Sequence, residues 1–246
     1  MVWFGSAASV QAGTMDSAIA TDMTQKAAEP FGRFTSPLYA GGIREKWRGV
    51  EQKLADERVQ LALCDGDREH CVSPAALRLL AIVDAARARE GRARLGEINR
   101  AINLAIRPMS DMAQYGVEDV WTSPLVTFAH GAGDCEDYAI AKFTALRLAG
   151  VADEDLRVVI IRDTIHGEDH AVAAARLDGH WLTLDNRRMA MIEDENMRNS
   201  RPLFVLDNTG VMQYRDTLPL AQVENPSLAP SALDLTAQPG QIARSE

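Results

Sequence analysis

A single thiol stands in the run Gly133-Asp134-Cys135-Glu136-Asp137-Tyr138, among three carboxylates. In the first turn of a helix, unpaired backbone N–H groups favour a thiolate, whereas neighbouring carboxylates oppose it. Such a cysteine serves as a nucleophile when a base reaches it from another part of the chain. The segments His170 to Leu177 and His180 to Asn186 flank Asp178-Gly179, a strong two-residue hairpin signal. With that turn, Leu177 pairs with His180 and, counting outward, Val172 pairs with Asp185. His170 and Asp185 then become diagonal neighbours on one face, about 7–8 Å apart between backbones. Trp181 and Thr183 share that face, while Ala171, Ala173, Ala175, Leu182 and Leu184 form a core-like set on the other. An imidazole to take the thiol proton and a carboxylate to orient it are what nucleophilic thiol catalysis requires. Backbone N–H groups at the helix start can then bind the oxyanion of a tetrahedral intermediate. The competing interpretation makes Cys135 and His170 satisfied core residues.

The elements that must position these groups are legible as periodicity. Ile43, Trp47, Val50, Leu54 and Leu61 recur at helical spacing, so the chain from Gly42 to Leu63 is expected to be an amphipathic helix. Ser73-Pro74 reads as an N-cap with proline at the first helical position, opening a helix to about Glu90 that Gly91 stops. Leu95 to Ile106 is helical again, with Asn99 and Asn103 one turn apart, and Pro108 ends it. Tyr115 to Gly133, containing Trp121 and Pro124, is expected to be a loop long enough to line a functional cleft. Asp134 reads as the N-cap of a helix apolar on several sides, with Asp137 at the third position as a capping-box variant and Gly150 as the stop. Leu156 to Arg162, Leu203 to Leu206 and Val211 to Tyr214 are expected strands. Helices first and strands later imply α+β rather than alternating βαβ.

The runs Gly133-Asp134-Cys135-Glu136-Asp137-Tyr138, Asp169-His170-Ala171-Val172 and Leu184-Asp185-Asn186 resemble the bacterial transglutaminase-like cysteine peptidases. So do Ile98-Asn99 to Ile102-Asn103 and Tyr115 to Trp121, and the likeness, running from about Arg44 to Tyr214, is greatest to the LapG-type periplasmic adhesin proteases. The resemblance implies a papain-like, transglutaminase-type α+β core with an N-terminal helical lobe packed on an antiparallel sheet. It implies Cys135 as nucleophile, His170 as general base and acid, and Asp185 as the orienting carboxylate, acting on a peptide bond. It also implies calcium, with Asp134 and Glu136 as ligand candidates and Asp137 as a further one; oxygen ligands suit that ion. Plain helix capping is the alternative for these carboxylates. Trp121 either lines the substrate groove or anchors the loop. Implied partners are a large surface adhesin as substrate and an inner-membrane receptor that responds to a cyclic dinucleotide. A transglutaminase or amidotransferase using the same triad, or a non-catalytic binding module of the same fold, is the rival reading.

The chain has 246 residues, 25% charged and 46% hydrophobic, an ordinary globular composition. Its net charge of −9 argues against nucleic acid or an anionic membrane as the main partner. Residues 1–40 are expected to be an N-terminal segment, 41–216 the peptidase domain and 217–246 a loose tail. Met1 to Ala12 is small and apolar and ends in Val10-Gln11-Ala12, like a signal-peptidase site, but no Lys or Arg precedes Lys26. A shortened export signal is therefore one expectation and a disordered N-terminus the other. Cys64 and Cys71, joined by a short polar run, suit a disulfide in an oxidising compartment, with Cys135 left as the reactive thiol. Two free thiols in a cytosolic protein is the alternative. A zinc site from Cys64, His70 and Cys71 lacks a fourth ligand. The export and disulfide readings suit a secreted or periplasmic protein, and the resemblance implies the periplasm.

Overall fold

The computed structural model describes residues 29–216. Residues 1–12, read above as a shortened export signal or a disordered N-terminus, and the tail 217–246 lie outside the described residues. Among the described residues, six α-helices precede six of the seven strands of an antiparallel sheet, an α+β arrangement.

Helix α1, Gly42–Gly66, buries Trp47, Val50, Leu61 and Cys64. The Trp47 indole N–H donates to the Asp207 carbonyl at 2.9 Å, which ties this helix to the sheet. Cys64 and Cys71 are disulfide-bonded, linking the end of α1 to the approach of α2, Pro74–Arg87. The Ser73 hydroxyl accepts from Ala76 N at 3.2 Å and Pro74 occupies the first helical position, so α2 starts where its sequence signal places it. Helix α3, Gly91–Ala105, turns Leu95, Ile98, Asn99 and Ile102 inward.

The segment from Tyr115 to Gly133 is not a plain loop. The short helix α4, Asp111–Tyr115, is followed by α5, Pro124–His130. Two-residue strands β2, Arg107–Pro108, and β3, Ala132–Gly133, then pair in parallel. Ser123-Pro124 is the same start signal as Ser73-Pro74, and Gly131 ends α5 at φ 65° in the left-handed region. Helix α6, Cys135–Leu148, follows at once and is buried along most of its length.

The sheet is built from β1, Phe34–Pro37; β4, Leu156–Asp163; β5, Glu168–Leu177; β6, His180–Leu184; β7, Ile192–Glu193; β8, Ser200–Asp207; and β9, Gly210–Arg215, in the spatial order β1-β9-β8-β4-β5-β6-β7. Strand β1 lies ahead of residue 41 and pairs with β9. The β5–β6 register runs from Leu177↔His180 to Ala173↔Leu184, as a two-residue turn requires. Asp178 and Gly179 both have positive φ, 52° and 84°, which fits a turn whose twist matches that of its strands. Val158, Ile160, Ala171, Ala173, Ala175, Leu182 and Leu184 face the helices and share the main core with α6. Val159, Ile161, Val172, Ala174, Trp181, Val205 and Tyr214 form a second cluster on the other face. No helix among the described residues is long and apolar enough to cross a membrane.

Candidate active site

Cys135 is the first residue of α6, partly buried, with a free thiol. Asp134 is at the N-cap position with extended backbone, yet its side chain makes no capping hydrogen bond. The capping-box expectation therefore fails in its side chains while the helix start is where the sequence places it. Asp137 instead turns toward the preceding segment, where its Oδ1 accepts from Thr122 N at 2.9 Å and Thr122 Oγ1 at 2.6 Å. The thiol donates to Glu136 Oε2 at 3.0 Å. Burial first, and then the Glu136 charge and hydrogen bond, push the thiol well above its ordinary pKa, against the Ala171 backbone N–H, which favours the thiolate. That N–H belongs to the residue after His170 and puts the start of α6 against β5.

His170, only 3% exposed, and the buried Asp185 meet at the end of the β5–β6 hairpin, with His170 Nε2 and Asp185 Oδ1 2.9 Å apart. The other ring nitrogen, Nδ1, is buried and has no hydrogen-bond partner. Burial alone would raise Asp185, but the His170 hydrogen bond and charge, the Arg187 N–H and Lys142 hold it below its ordinary pKa. An ionised Asp185 fixes a proton on Nε2 and leaves Nδ1 as the basic atom. A hollow of about 510 Å³ opens beside the pair, lined by Ile161, Arg187, Ile192 and Met197 among others.

Asp185 directly follows β6, and the backbone on either side of it is held from two helices. Asn103 Nδ2 donates to the Asp185 and Arg188 carbonyls, and Asn99 Nδ2 to the Arg188 and Met189 carbonyls, all at 3.0 Å. The one-turn spacing of the two asparagines on α3 thus clamps the chain leaving the hairpin. Lys142, fully buried on α6, donates to the Leu184 carbonyl at 3.2 Å.

The acidic cluster contains a member that motif spacing does not reveal. Asp111, Asp134 and Asp137 each bring a carboxylate oxygen within 4.8 Å of the others. Asp111 is buried, accepts from Val120 N, and has its pKa raised chiefly by burial. Burial first, then Glu136, lifts Asp134 to about 9, and burial lifts Asp137 to about 6 despite its bonds to Thr122. Asp134 Oδ1 and Asp137 Oδ2 are buried without partners. Three clustered carboxylates, two of them with orphaned oxygens, are a donor set that fits a hard divalent cation. Glu136 lies close enough to interact with Asp134 and Asp111, while its Oε2 is engaged by the thiol. Asp111 was hidden because α4 is too short to show periodicity; its only signal was the Ser110-Asp111 helix start.

Trp121 is 9% exposed and its indole N–H donates to Asp119 Oδ1 at 2.9 Å, with Lys46 Nζ 6.0 Å from the ring centre. His130 contacts Gln114 and Tyr115 at the end of α5. His166 is engaged by Asp163 at 2.8 Å on the β4–β5 turn.

A helix-start thiol against a sheet that carries a buried imidazole–carboxylate pair defines the papain-like and transglutaminase-like class of folds. Residues 60–200, more than half of the chain, match the bacterial transglutaminase-like cysteine proteinases, and the chain belongs to that family of cysteine peptidases. LapG of Legionella pneumophila is similar in structure at 20% identity and a TM-score of 0.53, over 63% of this chain and 86% of that one. Its calcium-bound form matches at 21% identity and a TM-score of 0.51, over 59% and 80%. Its EGTA-treated form matches at 20% identity and a TM-score of 0.53, over 63% and 84%. These likenesses are of fold. No curated protein matches the sequence significantly.

Proposed function

We propose that this protein is a calcium-dependent cysteine endopeptidase of the periplasm that cleaves a large surface adhesin and so controls attachment and biofilm release. The observation that carries the catalytic part is the buried His170–Asp185 pair, whose Nδ1 has no partner, on the strand whose Ala171 N–H meets the Cys135 thiol. Nδ1 of His170 takes the thiol proton and the thiolate attacks the scissile carbonyl carbon. Helix-start N–H groups bind the oxyanion. As the tetrahedral intermediate collapses, the imidazolium returns its proton to the leaving amine and an acyl thioester remains. Water, deprotonated by the same nitrogen, then attacks the thioester, and Cys135 leaves with its proton restored. Asp185 stays ionised throughout, holding the ring and stabilising its charged form.

Asp134 and Asp137, with Asp111 added to the set the sequence suggests, would hold calcium, and Glu136 stands at its edge. A bound divalent cation would neutralise the carboxylates that otherwise keep the thiol protonated. The disulfide in α1 supports an oxidising compartment. Residues 41–216, together with the strand before them, would form the catalytic unit, and an inner-membrane cyclic-dinucleotide receptor is the partner this function calls for.

The test is iodoacetamide labelling at neutral pH with peptide mapping, in calcium and in EGTA. Cys135 is expected to label fast, and at least about tenfold more slowly in His170→Ala or in EGTA. Labelling at the rate of a free thiol, indifferent to His170, overturns the catalytic reading. Incubation with an adhesin fragment should yield two products that Cys135→Ser does not form. Incorporation of a labelled primary amine in place of cleavage would establish the transferase instead.

A further inference from the structure

Lys142 is the group near the site that the reaction above does not use. It lies two turns along α6 from Cys135, fully buried in a helix otherwise packed by Tyr138, Ala139, Ala141 and Phe143. Burying an ammonium is costly unless acceptors and an opposite charge receive it. Here the acceptor is the Leu184 carbonyl at 3.2 Å, the charge that favours the ammonium is Asp185, and the Tyr138 ring lies 5.7 Å from it.

We propose that Lys142 is a positioning residue: it pins the β6 end that presents Asp185, and its charge sets how tightly the His170–Asp185 pair holds its proton. The inference rests on the catalytic reading above. Two observations converge on it. The Leu184 carbonyl immediately precedes Asp185, so the Lys142 bond and the Asn103 bond fix consecutive peptide units on either side of the Asp185 α-carbon. The coupling is also mutual, since Asp185 favours the Lys142 ammonium and Lys142 favours the Asp185 carboxylate. Burial lowers Lys142 to about 7, so its charge changes near neutrality. Among the other charged groups, Arg188 Nε lies 3.9 Å from Asp185 Oδ2, and Arg187, Asp163 and His166 line the hollow beside the pair.

The experiment follows the imidazole nitrogens of His170 by NMR in calcium-saturated, histidine-labelled protein. The wild type is expected to carry its neutral-form proton on Nε2. In Lys142→Met, which keeps the length but removes charge and donor, the His170 midpoint is expected to rise by about 0.5 unit or more, because a nearby cation no longer opposes the imidazolium. An unmoved midpoint with the wild-type tautomer intact overturns the role of Lys142 alone. A wild-type proton on Nδ1 overturns the catalytic reading and this inference together. Where Lys142→Met does not fold, Asp185→Asn decides: the Lys142 ammonium, followed at its Cε, is expected to lose its proton at lower pH than in the wild type, and an unmoved Lys142 midpoint overturns the coupling.

Discussion

Gly133 shows how closely the residues around the thiol are fitted. A Cβ at this position would lie 2.6 Å from Asp137 Oδ2 and 2.7 Å from Asp137 Cβ. The clash is with a short side chain held by Thr122, so it has little room to yield. Gly133→Ala is expected to cost about 1–3 kcal/mol in denaturant melts and to weaken calcium binding at least about tenfold by calorimetry. Asp111→Asn separates charge from shape. An amide oxygen can still accept from Val120 N, while one of three crowded carboxyl groups is gone. Melting temperature in EGTA is expected to rise and calcium affinity to fall, two opposite movements from one substitution. A fall in both would show that Asp111 serves packing rather than the ion.

At the scale of elements, the helix that leads into the site is fastened by a side chain from far away in sequence. Glu57 on α1 accepts from Ser123 Oγ and from Leu125 N at 3.1 Å, so it serves the start of α5 in place of a local cap. Its pKa is raised, chiefly by burial. Glu57→Ala is expected to cost about 1–2 kcal/mol of stability by denaturant melts, since the first N–H groups of α5 lose their acceptor. The disulfide acts about two turns further along the same helix. Replacing Cys64 and Cys71 with serine is expected to remove about 2–3 kcal/mol while leaving the Cys135 labelling rate at 25 °C unchanged, because the bridge touches neither hairpin nor acidic cluster. Local chemistry explains what was legible. Asp178-Gly179 prescribed the hairpin, its register and the meeting of His170 with Asp185, because a two-residue turn leaves no freedom in pairing. Ser123-Pro124 carried the start signal that succeeded at Ser73-Pro74, but a seven-residue helix has too few turns to display an apolar stripe. Asp111 and Glu57 were beyond reach for another reason: their partners are set by tertiary packing, which residue spacing does not encode. Lys142 escaped notice for the same reason, since its acceptor and its counter-charge, the Leu184 carbonyl and Asp185, come from another part of the chain.

For the whole molecule, the raised carboxylates make stability depend on pH, and the proposed calcium site would couple that dependence to the ion. Asp134 and Asp137 bind protons more tightly folded, at about 9 and 6, than the ordinary value of 3.8 expected when unfolded. Between those limits the folded state holds more protons, so calcium-free protein is expected to gain stability as pH falls from about 8 to about 5. Saturating calcium is expected to flatten that dependence, and its own stabilising effect should shrink as pH falls, because the ion competes with protons for the same oxygens. Thermal melts across this range, with calcium and with EGTA, check both slopes. A second consequence belongs to the order in which the polypeptide is made. Phe34–Pro37 pairs with Gly210–Arg215, so the earliest strand of the sheet has no partner until almost the entire domain has left the ribosome. The β5–β6 hairpin, with both histidine and aspartate, is complete well before then. Synthesis thus finishes the candidate site first and closes the sheet edge last, and a chain stopped short of Gly210 would present β8 as an unpaired, aggregation-competent edge.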